Sequence, residues 1–324
     1  MSKVLFWLNN SRLFSLPMTV MSWIIIFLYS LKEGGNILNG LLALIGIAFA
    51  HLATNLFDDY VDYKVLSKDE KFLKSAVKSK CSYIKDGSAT LPELLIVVGI
   101  YCAIAFLTGV ILAFRCGYPV IILALIGGVI TLSYAKLSAK GFSELAVGAA
   151  FGPLLFEGVY YVMTGTFSFN VFILSIAVVI FTIGLLYTHT LLDFDGDVCA
   201  HKMTLCCRIG DKNKALNLLL WLYFAGYLMC LLLVWFEHSL WYLLPLLTIP
   251  FAIMLFVLMK TYNADKTFVP EIYWWYYPLD NWAKIIEEGT ESFYLRLFQA
   301  RNLMMWFSLL IIAAVWLSAR GTST

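Results

Sequence analysis

Two short acidic stretches carry the residues best suited to chemistry: NLFDDYVD at 55–62 and LLDFDGD at 191–197. Each closes a long apolar run, and each contains Asp-x3-Asp: Asp58 with Asp62, and Asp193 with Asp197. On a helix, positions i and i+4 share a face, so each stretch presents a pair of carboxylates. A carboxylate left in hydrocarbon costs about 2.5–3.5 kcal/mol even on a lenient insertion scale. These acids therefore need water, a partner or a metal. Oxygen-only donors without a His or Cys motif suit Mg²⁺, which commonly takes one or two carboxylates together with substrate phosphates. For either stretch alone, a solvated helix end is the competing explanation.

Basic residues accompany the acids. The stretch after the first cluster holds Lys64, Lys68, Lys71, Lys74, Lys78, Lys80 and Lys85, and the one after the second reads AHKMTLCCRIGDKNK. The general excess of cations on cytoplasmic loops accounts for most of these. Lys140, Lys202 and Arg208 stand out by the sequence around them. Carboxylates with a metal, next to Lys and Arg, make a site for a diphosphate.

The elements that must position these residues follow from composition. Of 324 residues, 61% are hydrophobic and 14% charged, whereas a soluble domain is about a quarter charged. The chain reads as an all-α polytopic membrane protein. A span needs roughly 20 mostly apolar residues, and nine candidates lie at about 16–31, 36–57, 92–114, 117–135, 142–163, 169–192, 213–236, 239–260 and 302–319. Longer connections fall at 58–91, 193–212 and 261–301. With a cytoplasmic N-terminus, all but Lys32, Arg115 and Arg320 of the 23 basic residues lie inside, which sets the orientation as N-in, C-out. Both acid clusters then fall on the cytoplasmic face, after the second and sixth spans.

Other signals are weaker. The seven cysteines show no disulfide framework or zinc spacing, and adjacent Cys206 and Cys207 read as packing. The N-terminus lacks the pattern of a cleavable signal. A net charge of +2 gives no sign of a nucleic-acid partner. His51 is either a group supporting the first cluster or a satisfied buried histidine. His189, four residues before Asp193, shares that acid's face.

The whole pattern resembles the UbiA superfamily of intramembrane prenyltransferases, from about residue 12 to 260 and again near 295. TNLFDDYVDYK is similar to the family's Asn-Leu-x-Asn-Asp-Tyr-x-Asp-x-x-Lys stretch: Asn55, Asp59, Tyr60 and Asp62 match, Asp58 replaces Asn, and Asp69 stands in for a later acid, shifted by one. LLDFDGDVCAHKMTLCCRIG is similar to the second motif, with Asp193, Asp197, Lys202, Thr204, Leu205, Arg208 and Gly210 matching and His201 in place of Gly. SYAKLSAKGFSELAVGAAFGPLLFEGVYYVMTG looks like the segment of the 1,4-dihydroxy-2-naphthoate polyprenyltransferase branch through the fifth helix, keeping Tyr134, Lys140, Gly141, Glu144, Gly152, Pro153, Tyr160, Tyr161 and Gly165. The sequence departs from that branch at His189, Thr190 and Leu192, near the expected acceptor site, and in a longer 261–301 connection.

The resemblance implies one domain over 1–324, a nine-helix UbiA-like bundle in a bacterial cytoplasmic membrane. It implies Mg²⁺-dependent transfer from a polyprenyl diphosphate to a small aromatic acceptor, here dihydroxynaphthoate in menaquinone synthesis. Asp58, Asp62, Asp193 and Asp197, with Asn55, would hold the metal. Asp62, Asp193, Asp197 and Lys140 would carry catalysis, and Lys140, Lys202 and Arg208 would contact the diphosphate. Tyr134, Tyr160 and Tyr161 would shelter the allylic cation, unless they are packing or interface-anchoring residues, and His189 would meet the acceptor. A related transferase for 4-hydroxybenzoate, homogentisate or a glycerol phosphate is one alternative. A secondary transporter with intramembrane acids is another, but it predicts inverted repeats and charges at mid-bilayer. The aromatic-rich 261–301 connection is either an interfacial segment or a lid.

Overall fold

The structure is a computed structural model that describes residues 3–68, 81–199 and 203–321. Every regular element in them is helical. In chain order these are α1 (Lys3–Asn10), α2 (Leu16–Lys32), α3 (Ile37–Leu66), α4 (Ser82–Lys85), α5 (Leu91–Cys116), α6 (Pro119–Ala139) and α7 (Ser143–Thr164). They continue with α8 (Phe169–Leu192), α9 (Phe194–Cys199), α10 (Leu205–Ile209), α11 (Lys212–Glu237), α12 (Leu240–Ala264), α13 (Trp282–Glu287) and α14 (Glu291–Gly321).

All nine expected apolar runs are helical. Seven are long and apolar enough to cross a membrane, while Leu16–Lys32 and Pro119–Tyr134 are shorter apolar helices. The expected count of nine full spans is thus not met by length. At 1.5 Å per residue, the 17 residues of α2 rise only about 25 Å, between Pro17 at its start and the Gly34–Gly35 turn. The outward faces are apolar, as in Phe106, Phe114 and Trp235, because the solvent of this multi-pass membrane protein is lipid.

Local chemistry sets several boundaries. Asn36 caps α3 by accepting from the Asn39 amide (3.0 Å), and a Thr90–Glu93 capping box with Pro92 starts α5. α3 runs nine residues beyond the expected span because no Gly or Pro interrupts DDYVDYKVL, so the first acid pair rides on a continuous helix. α7 breaks at a single π-turn over Ala150–Leu154, where Gly152 adopts φ −93°, ψ −112° ahead of Pro153. A Cβ on Gly152 would come within 2.9 Å of Val179 on α8, so the break also permits close packing of the two helices.

One end of the bundle is tied by polar contacts. Asn36 N–H donates to Met163 O (2.8 Å), and Asn39 Nδ2 donates to Val162 O (2.7 Å) while its Oδ1 accepts from Arg115 Nε (2.6 Å). The buried Glu237 carboxylate accepts from Tyr29 (2.7 Å), Asn170 (2.7 Å) and Lys32 (3.3 Å). The end of α2, the start of α3, the ends of α5 and α7, the start of α8 and the end of α11 therefore meet there. Since consecutive long helices run antiparallel through short turns, the C-terminal ends of α3 and α8 lie together at the opposite end. Both acid stretches are there.

Candidate active site

The first acid pair sits on the last turns of α3. Asp58 and Asp59 are 5% and 3% exposed, and Asp62 is half-buried. Two buried carboxylates in sequence need compensation, and Arg12 supplies it, donating to Asp58 (3.3 Å) and to Asp59. Burial lowers the pKa of this guanidinium, but Asp59 and Asp58 outweigh that and hold it above its usual value. Arg12 occupies a left-handed turn between α1 and α2 (φ 60°, ψ 51°). The turn is docked on α3 by Asn55, whose Nδ2 donates to Ser11 O (3.0 Å) and Ser15 Oγ (3.2 Å). That leaves the amide oxygen as the Asn55 atom suited to a cation. Tyr83 on α4 donates to the other Asp59 oxygen (3.2 Å) and stands edge-on to Phe6 and Trp7 of α1. Burial first, then the Asp59 charge, raises the Tyr83 phenol above its ordinary value.

Both ring nitrogens of His51 are engaged, with Thr19 Oγ1 (2.7 Å) and Ser15 Oγ (3.1 Å). His51 is thus a satisfied, half-buried histidine, and through Ser15 Oγ, which also accepts from Asn55, it braces the turn docked beside the first acid cluster. Thr54 on α3 donates to Thr131 on α6 (3.3 Å). One turn further along each helix are Asp58 and Tyr134, so Tyr134, half-buried, sits level with the first pair. Tyr160 and Tyr161 do not. Tyr161 donates to Cys116 O (3.0 Å) and Tyr160 packs on Tyr29 (ring centroids 6.0 Å), at the tied end of the bundle. They pack and anchor, because α7 starts at the acid end and both tyrosines lie in its last turns, at the opposite end of the bundle.

The second acid pair straddles the end of α8. Asp193 caps that helix, and Asp197 N–H donates to Asp193 O (2.9 Å), so the two acids stay one helical turn apart. Asp197 is 6% exposed and the Asp193 side chain 42%. His189 Nδ1 lies 3.5 Å from Asp193 Oδ2, and its ring stands edge-on to Phe293 at the start of α14 (6.0 Å). Thr190 and Leu192 are buried, Thr190 donating to Tyr187 O (2.9 Å). Of the three positions that depart from the naphthoate branch, only His189 faces outward from the packed core.

Asp195 is placed differently. Lys212, at the start of α11, meets its Oδ1 at 2.5 Å, and Lys266, just after α12, meets its Oδ2. These contacts hold the Asp195 carboxyl below the usual carboxylate range.

The basic residues converge through a backbone contact. Gly141 has φ +73°, and a Cβ there would lie 2.2 Å from Met203 O and 3.0 Å from Arg208 Nε. Only glycine permits this approach. It seats the Lys140–Gly141 turn against the segment leading into α10, with the Arg208 guanidinium over the Phe142 ring (4.8 Å). Lys140 and Arg208 are both exposed. Lys202, like His201, Asp69 and the lysines at 71–80, lies outside the described residues. Below this turn, Cys206 is fully buried beside Thr190 (3.3 Å), and burial pushes its thiol up to about 11.

The 265–290 segment is an ordered strap. The fully buried Arg296 of α14 donates to Leu258 O (2.7 Å), to Ser292 O and Oγ, to Thr261 Oγ1 (3.2 Å) and to Phe268 O (3.2 Å). Gln299 and Asn302 both donate to Tyr276 O (2.7 and 3.1 Å), and Arg301 pairs with Asp280. Tyr276, Leu279 and Leu295 form a small core with Leu258 of α12. α14 therefore begins eleven residues before the expected span at 302: its first turns are polar because they bind the strap.

Among the described residues, no three of His, Cys, Asp and Glu gather to share one metal ion. Each motif instead offers its own pair of carboxylates one turn apart. That donor set fits Mg²⁺ completed by substrate phosphates.

A family model described as the UbiA prenyltransferase family matches residues 15–275. No curated protein matches the chain. Among solved structures, a UbiA homolog from Archaeoglobus fulgidus bound to GPP and Mg²⁺ superposes with a TM-score of 0.62 at 12% identity, covering 96% of this chain and 99% of that one. A digeranylgeranylglyceryl phosphate synthase gives 0.61 at 17%, covering 97% and 99%. The apo UbiA homolog from Aeropyrum pernix K1 gives 0.59 at 15%, covering 91% and 97%. At these identities the likeness establishes the shared fold.

Proposed function

Because this chain belongs to the UbiA prenyltransferase family, we propose that it transfers a polyprenyl group from a polyprenyl diphosphate to an aromatic acceptor. The acceptor proposed is 1,4-dihydroxy-2-naphthoate, in menaquinone synthesis. The protein would work as one domain in a bacterial cytoplasmic membrane, N-terminus inside and C-terminus outside, with its acid end facing the cytoplasm. The observation that carries the transfer reaction is the placement of two carboxylate pairs, Asp58/Asp62 and Asp193/Asp197, at the same end of the bundle, with the Lys140–Gly141 turn seated against the segment that carries Arg208.

In this reading Asp58, Asp62, Asp193 and Asp197, with the Asn55 amide oxygen, hold Mg²⁺. When bound, Mg²⁺ supplies Lewis-acid stabilisation of the departing diphosphate. Lys140, Lys202 and Arg208 meet the charge that builds on that group as the allylic C–O bond lengthens, which lowers the barrier. Arg12 neutralises Asp59 and keeps the first pair from repelling an anionic substrate. Tyr134, level with Asp58, offers a π-face to the allylic cation. His189 stands where an acceptor ring can approach Asp193. The long apolar tail stays among the lipid-facing helices.

The acceptor assignment rests on the similarity of residues 133–165 to the naphthoate branch. His189 favours a second reading within the same mechanism, a different aromatic acceptor such as 4-hydroxybenzoate or homogentisate. Purified protein given Mg²⁺, geranylgeranyl or longer polyprenyl diphosphate and an acceptor panel decides between them by mass spectrometry of products. A prenylated, decarboxylated naphthoquinol supports the first reading, and prenylation of another ring supports the second. No product and no diphosphate release from folded protein defeats both.

A further inference from the structure

The middle aspartate of LLDFDGD is set apart from its neighbours by helix geometry. Asp195 lies two residues from both Asp193 and Asp197, which on a helix turns it about 200° away from their shared face. Its oxygens are occupied: Oδ1 by Lys212 at 2.5 Å, and Oδ2 by Lys266, with Lys212 also within 2.7 Å. Lys212 begins α11 and stacks over Phe194 (5.4 Å), while Lys266 opens the strap and lies over Tyr262 (5.9 Å). One carboxylate thus joins three elements: short helix α9, which carries Asp197; the N-terminus of α11; and the strap. The far side of the strap is bonded to α14 through Phe268 O, Tyr276 O and Pro278 O. The same helix places Phe293 against His189.

Resting on the function proposed above, we propose that Asp195 and Lys266 are positioning residues that fasten the strap to the second carboxylate pair, making it a fixed wall that keeps water from the reacting centre. The middle acid is then a fastener rather than a metal ligand. Water exclusion matters in this chemistry. Once the C–O bond breaks and diphosphate leaves with the bonding pair, the cation has two fates. A carbon of the acceptor ring bonds to the cation and the ring regains aromaticity by losing a proton, or CO2 where that carbon bears a carboxylate, which gives prenylated product; a water oxygen instead adds, loses a proton and gives the prenyl alcohol. The Lys266–Asp195 pair is nearly half exposed on both sides, so it contributes little to global stability. Its loss can be tested in folded protein.

The test compares wild type, Lys266→Met and Lys266→Arg in detergent or nanodiscs with Mg²⁺, geranylgeranyl diphosphate and whichever acceptor the wild type uses. The ratio of prenyl alcohol to prenylated acceptor is read by mass spectrometry. Hydrogen exchange of 194–199 and 265–272 is read on the same proteins without substrate. The expected result is a ratio raised about two- to fivefold in Lys266→Met, the range of an exposed ion pair, with faster exchange in both segments and a wild-type ratio in Lys266→Arg. An unchanged ratio in Lys266→Met overturns the proposal, whether or not exchange changes. A wild type that transfers to no acceptor defeats the functional reading instead, because the ratio then has no reference.

Discussion

Arg12 Nη2 stands 3.3 Å from Asp58 Oδ2, so the first acid pair is partly neutralised by a residue from the chain's beginning before any ligand arrives. The same guanidinium serves the buried Asp59. Arg12→Gln leaves two nearly buried acids short of a cation, and the expected cost is about 1–3 kcal/mol, the penalty for an uncompensated buried partner. Mg²⁺ should recover part of it by meeting Asp58. Thermal unfolding in detergent with a chelator and with Mg²⁺ checks this; equal stability of the variant and wild type in chelator would contradict it.

Asp62→Ala and Asp193→Ala should each lower transfer about a hundredfold or more, as expected when a group aligned on developing charge is removed, while the protein stays folded. Diphosphate release and size-exclusion behaviour in detergent are the two readouts. Near-normal turnover in either variant would remove that carboxylate from the metal set.

Gly141→Ala tests the seat of Lys140 and Arg208. The substitution combines a positive φ with a Cβ 2.2 Å from Met203 O, so backbone must move. A loss of about 1–3 kcal/mol is expected, together with a raised KM for the diphosphate because both cations shift. A variant with wild-type KM and stability would mean that the contact does not position them.

Cys206 gives a pH dependence with a definite sign. Its folded-state pKa is raised to about 11 by burial, above the unfolded value of about 8.5. Burial of the neutral thiol thus stabilises the fold fully below about pH 8.5, and that contribution is lost as pH rises toward 11. Stability of the wild type should fall over that window more than that of Cys206→Ala, and iodoacetamide at pH 8 should leave Cys206 unmodified until the protein unfolds.

Arg296→Met removes the guanidinium that ties Leu258 O, Thr261 Oγ1 and Phe268 O together, leaving Leu258 O its bond from Thr261 Oγ1 (2.8 Å) and Phe268 O its bond from Ser292 Oγ (3.0 Å). Limited proteolysis should then cut within 265–290 at protease levels that spare the wild type, because local opening of the strap no longer breaks these bonds.

The helices were legible because lipid imposes a length and an apolar composition on each span. The run expected at 169–192 coincides with α8, and the acid pairs declared themselves by spacing. Other features lack a local signature. Arg12 looks like one more cytoplasmic cation until a left-handed turn aims it at α3. Tyr160 and Tyr161 are the aromatic type that shelters a cation, and only the direction of α7 places them at the wrong end. Apart from the short helix α13, the strap follows neither a helix nor a strand period. Its order comes from Arg296, Gln299 and Asn302, whose bonds are distant in sequence, and these polar residues also hid the true start of α14.

The strap's dependence on α14 bears on the order in which the protein is made. Synthesis delivers the acids, the basic turn and α12 first, and the strap next, with its backbone acceptors still unmet. Arg296, Gln299 and Asn302 emerge last, along with Phe293, the neighbour of His189. The acid end is therefore finished only once the first turns of α14 have been made, so a nascent chain can carry both acid pairs before the strap that borders them is fixed.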